Sequence, residues 1–325
     1  MLIDNHGRPI NYLRLAVTDN CNLRCQYCMP AEGVVFAHKH ELLTWDELLR
    51  MAQAFIDLGV DKIRITGGEP FVRKGLMDFL EKLANIEDLK EISITTNATL
   101  IAPHIDHLKR LGITKINVSI DSLDEDRFNQ ITRRKHYKLV MENIMMMIDK
   151  GFDVKFNCVV MDDTNTDDII PMVEFARKHK VTVRFLEEMP FNGQTTGVQP
   201  ISWDYIRITE HIKAHFGPLE RLPVPASSTS INYRVPGSAG SFGVIASYSR
   251  TFCGTCNRVR VSAKGEMQTC LYSADTINLM PMIRNHASLS GLQFSIIAAM
   301  KIRAKDGFEA ENQNITKKSM TLIGG

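Results

Sequence analysis

Cys21-Asn22-Leu23-Arg24-Cys25-Gln26-Tyr27-Cys28 places three thiols in one short stretch, spaced C-x3-C-x2-C. An apolar run, Leu13 to Val17, leads into it and reads as a short buried strand. A strand ending in a cysteine loop gathers thiols around one small volume. Thiolates are soft ligands, suited to zinc or to iron–sulfur clusters. The number of thiols matters. A 4Fe–4S cluster held by three cysteines keeps one iron open to a substrate or cofactor, whereas closed clusters take four. Zinc is the sharper rival, but structural zinc usually pairs C-x2-C units. The spacing therefore predicts a cluster with an open iron.

Outward from this loop the chain alternates. Thr44 to Leu58 reads as a helix, with Thr44 as N-cap, Glu47 completing a capping box and Gly59 as the stop. Strands are expected at Lys62–Thr66, Glu91–Thr95, Lys115–Ile120, Val154–Val160 and Thr182–Leu186. Helices are expected through Leu83 and at Ile105–Leu111, Tyr137–Lys150 and Ile169–His179. Met145-Met146-Met147 is read as core-facing helix. Apolar strands alternating with helices predict a parallel α/β sheet. The polar motifs Gly67-Gly68-Glu69-Pro70, Thr96-Asn97, Asp121-Ser122 and Glu187-Glu188-Met189-Pro190 each follow a strand, as the cysteine loop does. In a barrel-like sheet that puts them on one rim, where such folds carry chemistry. The pattern breaks after Pro190. Trp203–Phe216 is one more helix, and 217–243 is rich in Pro, Ser and Gly. A boundary near 216 would divide a core, 1–216, from a smaller, partly β region, 217–325, with hairpins around Gly265.

Composition narrows the function classes. A chain of 325 residues with 44% hydrophobic residues can bury a large α/β core and a smaller unit. A net charge of +2 implies no bulk attraction to nucleic acid or to a membrane surface. Seven cysteines, mostly in two tight groups, suit metal binding in a reducing cytosol better than disulfides. Met1 to Ile10 lacks the apolar core of a signal peptide, and no apolar run approaches about 18 residues, so a cytoplasmic protein is expected.

Cys253-Gly254-Thr255-Cys256 with Cys270 forms the second group, C-x2-C-x13-C. Alone, this spacing leaves zinc, a structural role and a second cluster all open, although His215 and His286 are poorly spaced for zinc. Cys158, in VKFNCVV, reads as a buried apolar residue. The glycines of Gly67-Gly68-Glu69-Pro70 would let backbone approach a ligand, with Glu69 accepting from an ammonium group. Read alone, an ordinary strand-to-helix turn is the favoured explanation.

C-x3-C-x-aromatic-C after a first strand resembles the radical S-adenosylmethionine (SAM) enzymes. The wider context YLRLAVTDNCNLRCQYCMP resembles the MoaA-type GTP 3′,8-cyclases of molybdenum cofactor biosynthesis, as does Cys253 to Arg260, which fits their C-x-x-C-N-R-x-R. The resemblance runs from about Asn11 to Gly325 and is loose over 217–245 and 281–305. It implies an open (β/α)6 partial TIM barrel with a smaller C-terminal α+β domain carrying a second cluster. It implies two 4Fe–4S clusters, SAM as cofactor, GTP as substrate and (8S)-3′,8-cyclo-7,8-dihydro-GTP as product. Cys21, Cys25 and Cys28 would hold the cluster that binds SAM, and Cys253, Cys256 and Cys270 the one that meets guanine. Tyr27, Gly68, Ser119 and Met189 fall on SAM-contacting positions.

A triphosphate needs converging cations, guanidinium above all. Arg14, Arg64, Lys155, Arg258 and Arg260 are the candidates on strands or strand ends. Arg14 and Arg64 fall on the family's substrate positions, as does Thr95, although outward-facing salt bridges would also account for two arginines inside strands. No GxxxxGK[ST] loop is present, so the phosphates are not held in a P-loop manner. The family's chain ends in Gly-Gly, as Gly324-Gly325 does here, and there the tail projects into the active site. An electron-donating reductant and the next enzyme of the pathway are the expected partners, with the chain a monomer or a homodimer. A radical SAM peptide maturase is the rival enzyme, and a zinc or iron–sulfur module the rival non-enzyme. The Cys-Asn-Arg-Val-Arg motif and the terminal glycines argue against the first, the open-iron spacing and Gly-Gly-Glu-Pro against the second.

Overall fold

The apolar runs become neighbouring strands of one open sheet. The structure, a computed structural model, describes residues 1–189, 201–273 and 275–312. Strands β1 (Tyr12–Ala16), β2 (Lys62–Thr66), β3 (Glu91–Thr96), β4 (Lys115–Ser119), β5 (Asp153–Val160) and β6 (Thr182–Glu187) lie side by side in chain order. Every neighbouring pair among them is parallel. All the expected strands are found, within one residue at each end. Parallel neighbours require crossovers, supplied by α1 (Trp45–Asp57), α2 (Leu76–Ala84), α3 (Ile105–Arg110), α4 (Glu125–Thr132), α5 (Tyr137–Asp149) and α6 (Ile169–Lys178). Thr44 caps α1 in a capping box with Glu47, as expected.

Two expectations need correction. Helix α4 forms where no element is expected. It is short and mostly polar, and only Phe128, Ile131 and Thr132 are buried, so it has too few apolar residues to show a period. In α5 the three methionines do not share a face. Met147 is buried but Met146 is exposed, because a helix turns about 100° per residue.

Residues after α7 (Tyr205–Phe216) extend both edges of the same sheet. Beyond β6, β9 (Ser241–Ile245) pairs in parallel, followed outward by β8 (Ser230–Arg234) and β7 (Glu220–Arg221). Beyond β1, β10 (Arg258–Val261) pairs in parallel and turns at Gly265 into β11 (Glu266–Gln268), then β12 (Ile277–Asn278). The result, among the described residues, is an open sheet of 12 strands. Helices α8 (Met280–Arg284), α9 (Leu289–Met300) and α10 (Gly307–Asn312) follow, with α9 packed on α1. No helix among the described residues is long and apolar enough to cross a membrane. Gly324 and Gly325 lie outside the described residues.

The two faces of the sheet differ. On β5, Val154, Phe156, Cys158 and Val160 are buried in the apolar core, which places Cys158 where expected. The alternate residues Asp153, Lys155, Asn157 and Val159 face a cavity. Parallel strands covered on both faces usually read as continuous apolar runs. Here the inner row is polar.

Candidate functional site

The inner row encloses a cavity of about 590 Å³. Cys21, Cys25, Cys28, Cys253, Cys256 and Cys270 all line it. Tyr27, Gly68, Ser119, Met189, Arg14, Arg64, Thr95, Lys155, Arg258 and Arg260 line it too. The fold thus brings these cysteines, SAM-position residues and cations to one space.

The first cysteine loop is held from three sides. From α4, Thr132 O accepts from Arg24 N–H and Ile131 O from Gln26 N–H, each at 3.0 Å. Arg133, just past that helix, donates to Arg24 O and Met29 O. After β3, Asn97 Nδ2 donates to Asn22 Oδ1 at 2.8 Å and lies 3.8 Å from Cys21 Sγ. After β2, Gly67 and Gly68 lie against the backbone that enters the loop. A Cβ on Gly68 would sit 2.4 Å from Asn20 O, and one on Gly67 2.4 Å from Thr18 O. Only residues without a side chain fit there.

Glu69 corrects the expectation of an ammonium acceptor. It is fully buried, and its carboxylate accepts from Asn97 N–H (2.7 Å), Phe71 N–H (3.1 Å) and Thr96 Oγ1 (2.9 Å). It is absent from the cavity wall. Burial pushes its carboxyl up to about 7, against those hydrogen bonds. Its role is to tie β2 to β3 beneath the loop.

Tyr27 is hydrogen-bonded to Asp121, a buried residue that sequence reasoning placed only as a strand end. Burial pushes the Asp121 carboxyl up to about 7, although Val159 N–H (2.9 Å) and Tyr27 donate to it. Burial, followed by Asp121 and the two neighbouring thiols, pushes the Cys25 thiol well up. Burial first also pushes the Cys21 thiol up, to about 11, and bound metal would favour the thiolate form of both by replacing their protons.

The second triplet is built differently. Cys253–Thr255 forms a 3-10 turn that leads through Cys256 into β10. Arg8 Nη1 donates to Cys253 O at 3.0 Å, and Arg303 Nη2 lies 3.1 Å from Cys256 Sγ. Burial alone would raise the Cys256 thiol, but Arg303 and Arg258 outweigh it and hold it below the usual range. Among the described residues no three His, Cys, Asp or Glu side chains are placed to hold a single metal ion.

Cations converge on the far wall. Register places Arg14 between Arg64 and Arg260, and Tyr12 between Lys62 and Arg258. Lys62, Arg64 and Arg258 stand 5.4–5.7 Å from the centre of the Tyr12 ring. Burial first, then Arg260 and Arg64, pushes the Arg14 guanidinium well below its usual range. Arg184 is lowered to about 10 by burial and then by Arg64. Buried like charges of this kind call for a polyanion. Lys155 is partly engaged, 2.9 Å from Asp153. Arg258 Nη1, Arg260 Nη1, Arg184 Nε, Thr95 Oγ1 and Asn157 Oδ1 are buried without a hydrogen-bond partner among the described residues. Buried polar atoms are normally satisfied, so these mark where a ligand would supply partners.

Arg184, Asn117 and Asn157 also line the cavity and escaped the sequence reading. Their signal is period two: KINVS, DVKFNCVV and TVRFLE each set polar residues at alternate positions between buried apolar ones.

Comparison with known proteins agrees with this geometry. Residues 15–176 match the Radical SAM superfamily, and residues 181–308 match Molybdenum Cofactor Synthesis C. The GTP 3′,8-cyclase of Hydrogenovibrio crunogenus is 40% identical over 100% of this chain and 99% of its own. The chain belongs to the GTP 3′,8-cyclase family of radical SAM enzymes. The mitochondrial GTP 3′,8-cyclase of Arabidopsis thaliana is 39% identical, covering 100% of this chain and 84% of that protein. Molybdenum cofactor biosynthesis protein 1 of Mus musculus is 40% identical over 99% of this chain, which spans 51% of that longer protein. Streptococcus suis SuiB, solved with its precursor peptide SuiA, shares the fold at a TM-score of 0.62 and 16% identity, covering 89% of this chain and 68% of that one.

Proposed function

We propose that this protein cyclises GTP to (8S)-3′,8-cyclo-7,8-dihydro-GTP, with SAM as cofactor and with a cluster on each cysteine triplet. The observation that carries the reading is one cavity walled by both thiol triplets and by guanidinium and hydroxyl groups that each keep a buried atom without a hydrogen-bond partner among the described residues. Cys21, Cys25 and Cys28 would hold the SAM-binding cluster, and Cys253, Cys256 and Cys270 the second. When bound, the first cluster and SAM supply the radical that abstracts hydrogen from an unactivated C–H bond. The protein's own residues bind, orient and exclude water. Tyr27, Gly68, Ser119 and Met189 would shape the SAM pocket. Arg14, Arg64, Lys155, Arg258 and Arg260, with Thr95, would anchor the triphosphate and turn the nucleoside toward SAM. Arg184 belongs with them by position. Gly324 and Gly325 would position substrate from the tail. We divide the chain near 216 into a SAM core and a second-cluster region, and we place it in a reducing, cytoplasmic setting with GTP and a reductant as partners.

Anaerobic incubation with SAM, a reductant and each nucleoside triphosphate tests the reading. Release of 5′-deoxyadenosine should require GTP, and release with every triphosphate alike would refute the substrate. Arg258→Ala or Arg260→Ala should weaken GTP binding by about 1.5–3 kcal/mol, as for charged hydrogen bonds, and spare SAM. Unchanged GTP affinity in both would remove them from the site.

A further inference from the structure

One sulfur of each thiol triplet meets a different kind of donor. Cys21 Sγ meets neutral donors, Leu23 N–H at 3.4 Å and Asn97 Nδ2 at 3.8 Å. Cys256 Sγ meets a guanidinium. Arg303 is buried, and its Nη2 donates to Cys256 Sγ and to Arg258 O, each at 3.1 Å. Its Nη1 donates to Cys256 O and to Asp4 Oδ2, each at 3.1 Å. Asp4 is itself buried and is shared with Arg8, whose Nε stands 2.6 Å from Asp4 Oδ2. The N-terminal segment thus fixes the cation, and Asp4 offsets part of its charge.

We infer that Arg303 is a positioning residue that tunes the second cluster, raising its reduction potential through the hydrogen bond to Cys256, with Asp4 as the opposing charge. This rests on the reading that Cys253, Cys256 and Cys270 hold a cluster. Reduction adds one electron, hence one negative charge, to a cluster and its thiolates. A fixed cation and an N–H donor at a ligand sulfur stabilise that reduced form more than the oxidised one. A nearby carboxylate acts in the opposite sense. A purely structural role for the network predicts no such opposition, since loss of either partner would loosen the same turn.

The test is an anaerobic dithionite titration of the reconstituted full chain, followed by electron paramagnetic resonance, beside an iron count. In Arg303→Gln the second cluster should become harder to reduce, with its reduced-to-oxidised ratio at fixed potential falling at least tenfold, about 59 mV for one electron. Arg303→Lys should shift it less, and Asp4→Asn should shift it the other way. The first cluster's signal should not move. If Arg303→Gln loses the second cluster, the opposite-signed shifts of Arg303→Lys and Asp4→Asn decide the matter. Full iron with unmoved potentials, or shifts of one sign for both charges, overturns the tuning role alone. A parent chain with about four irons in place of about eight overturns the second-cluster reading itself, and this inference with it.

Discussion

At single residues in the cavity, stability and the proposed binding make opposite demands. Thr95 Oγ1 is buried without a partner among the described residues. Leaving a buried hydroxyl unpaired costs about 1–3 kcal/mol. Thr95→Val should therefore stabilise the ligand-free protein by about 1 kcal/mol in denaturant unfolding while weakening GTP binding. Loss of both together would mean that the hydroxyl has a structural partner. Gly68 makes the opposite case, because its constraint is space. A Cβ would meet Asn20 O at 2.4 Å and Asp19 O at 2.6 Å, both backbone atoms that cannot swing aside. Gly68→Ala should displace the first cysteine loop, so that reconstituted protein loses iron at the first triplet and keeps whatever iron the second triplet holds. Full iron in this variant would show that the loop tolerates the shift.

At the scale of elements, the N-terminus of α1 links core to periphery. Glu47 Oε2 accepts from Thr44 N–H at 2.7 Å, and Glu47 Oε1 accepts from Arg284 Nε, on α8, at 3.1 Å. Burial would raise its carboxyl, but Thr44 N–H and Arg284 outweigh that and hold it below the usual range. A folded pKa below the unfolded value means that the native state gives up this proton first. The stabilisation is complete above about pH 4.3 and fades as pH falls through the depressed value. Glu47→Gln should thus be about 1 kcal/mol less stable than the parent at pH 7, the gap closing as pH falls through the depressed value. A gap independent of pH would assign the effect to packing. Helix α4 shows how an element of weak pattern can carry a site. Its last carbonyls and Arg133 hold the first cysteine loop, yet its polar sequence gives no period to read.

For the whole molecule, the ends of the described chain meet at the second triplet. Arg8 donates to Cys253 O (3.0 Å), Lys305 O (2.6 Å) and Ala304 O (3.0 Å), and pairs with Asp4. Breaking a buried pair leaves its partner's charge uncompensated, a loss of about 3–5 kcal/mol. Arg8→Ala should lower the melting temperature and release iron from the second site before the first, as read by iron per chain during chelation. Equal release from both sites would place Arg8 outside that site's support.

What the sequence determined by itself is local. Cysteine spacing, the Thr44–Glu47 box and the run of strands and helices depend on residues a few positions apart, so periodicity and turn chemistry reveal them. The cysteine triplets, Arg14 and Arg64 were legible for the same reason, since a charge inside a strand is out of place unless something meets it. Tertiary structure decided where those residues meet. Register between strands set Arg14 beside Arg64 and Arg260, and it turned alternate polar residues such as Asn157 and Arg184 toward one cavity. The joining of β9 and β10 to opposite edges of the sheet brought the second triplet to the same space. Arg303 and Asp4, 299 residues apart, have no shared pattern in the chain. Their contact exists because burying one charge requires a second beside it, and only the folded core decides which two are brought together.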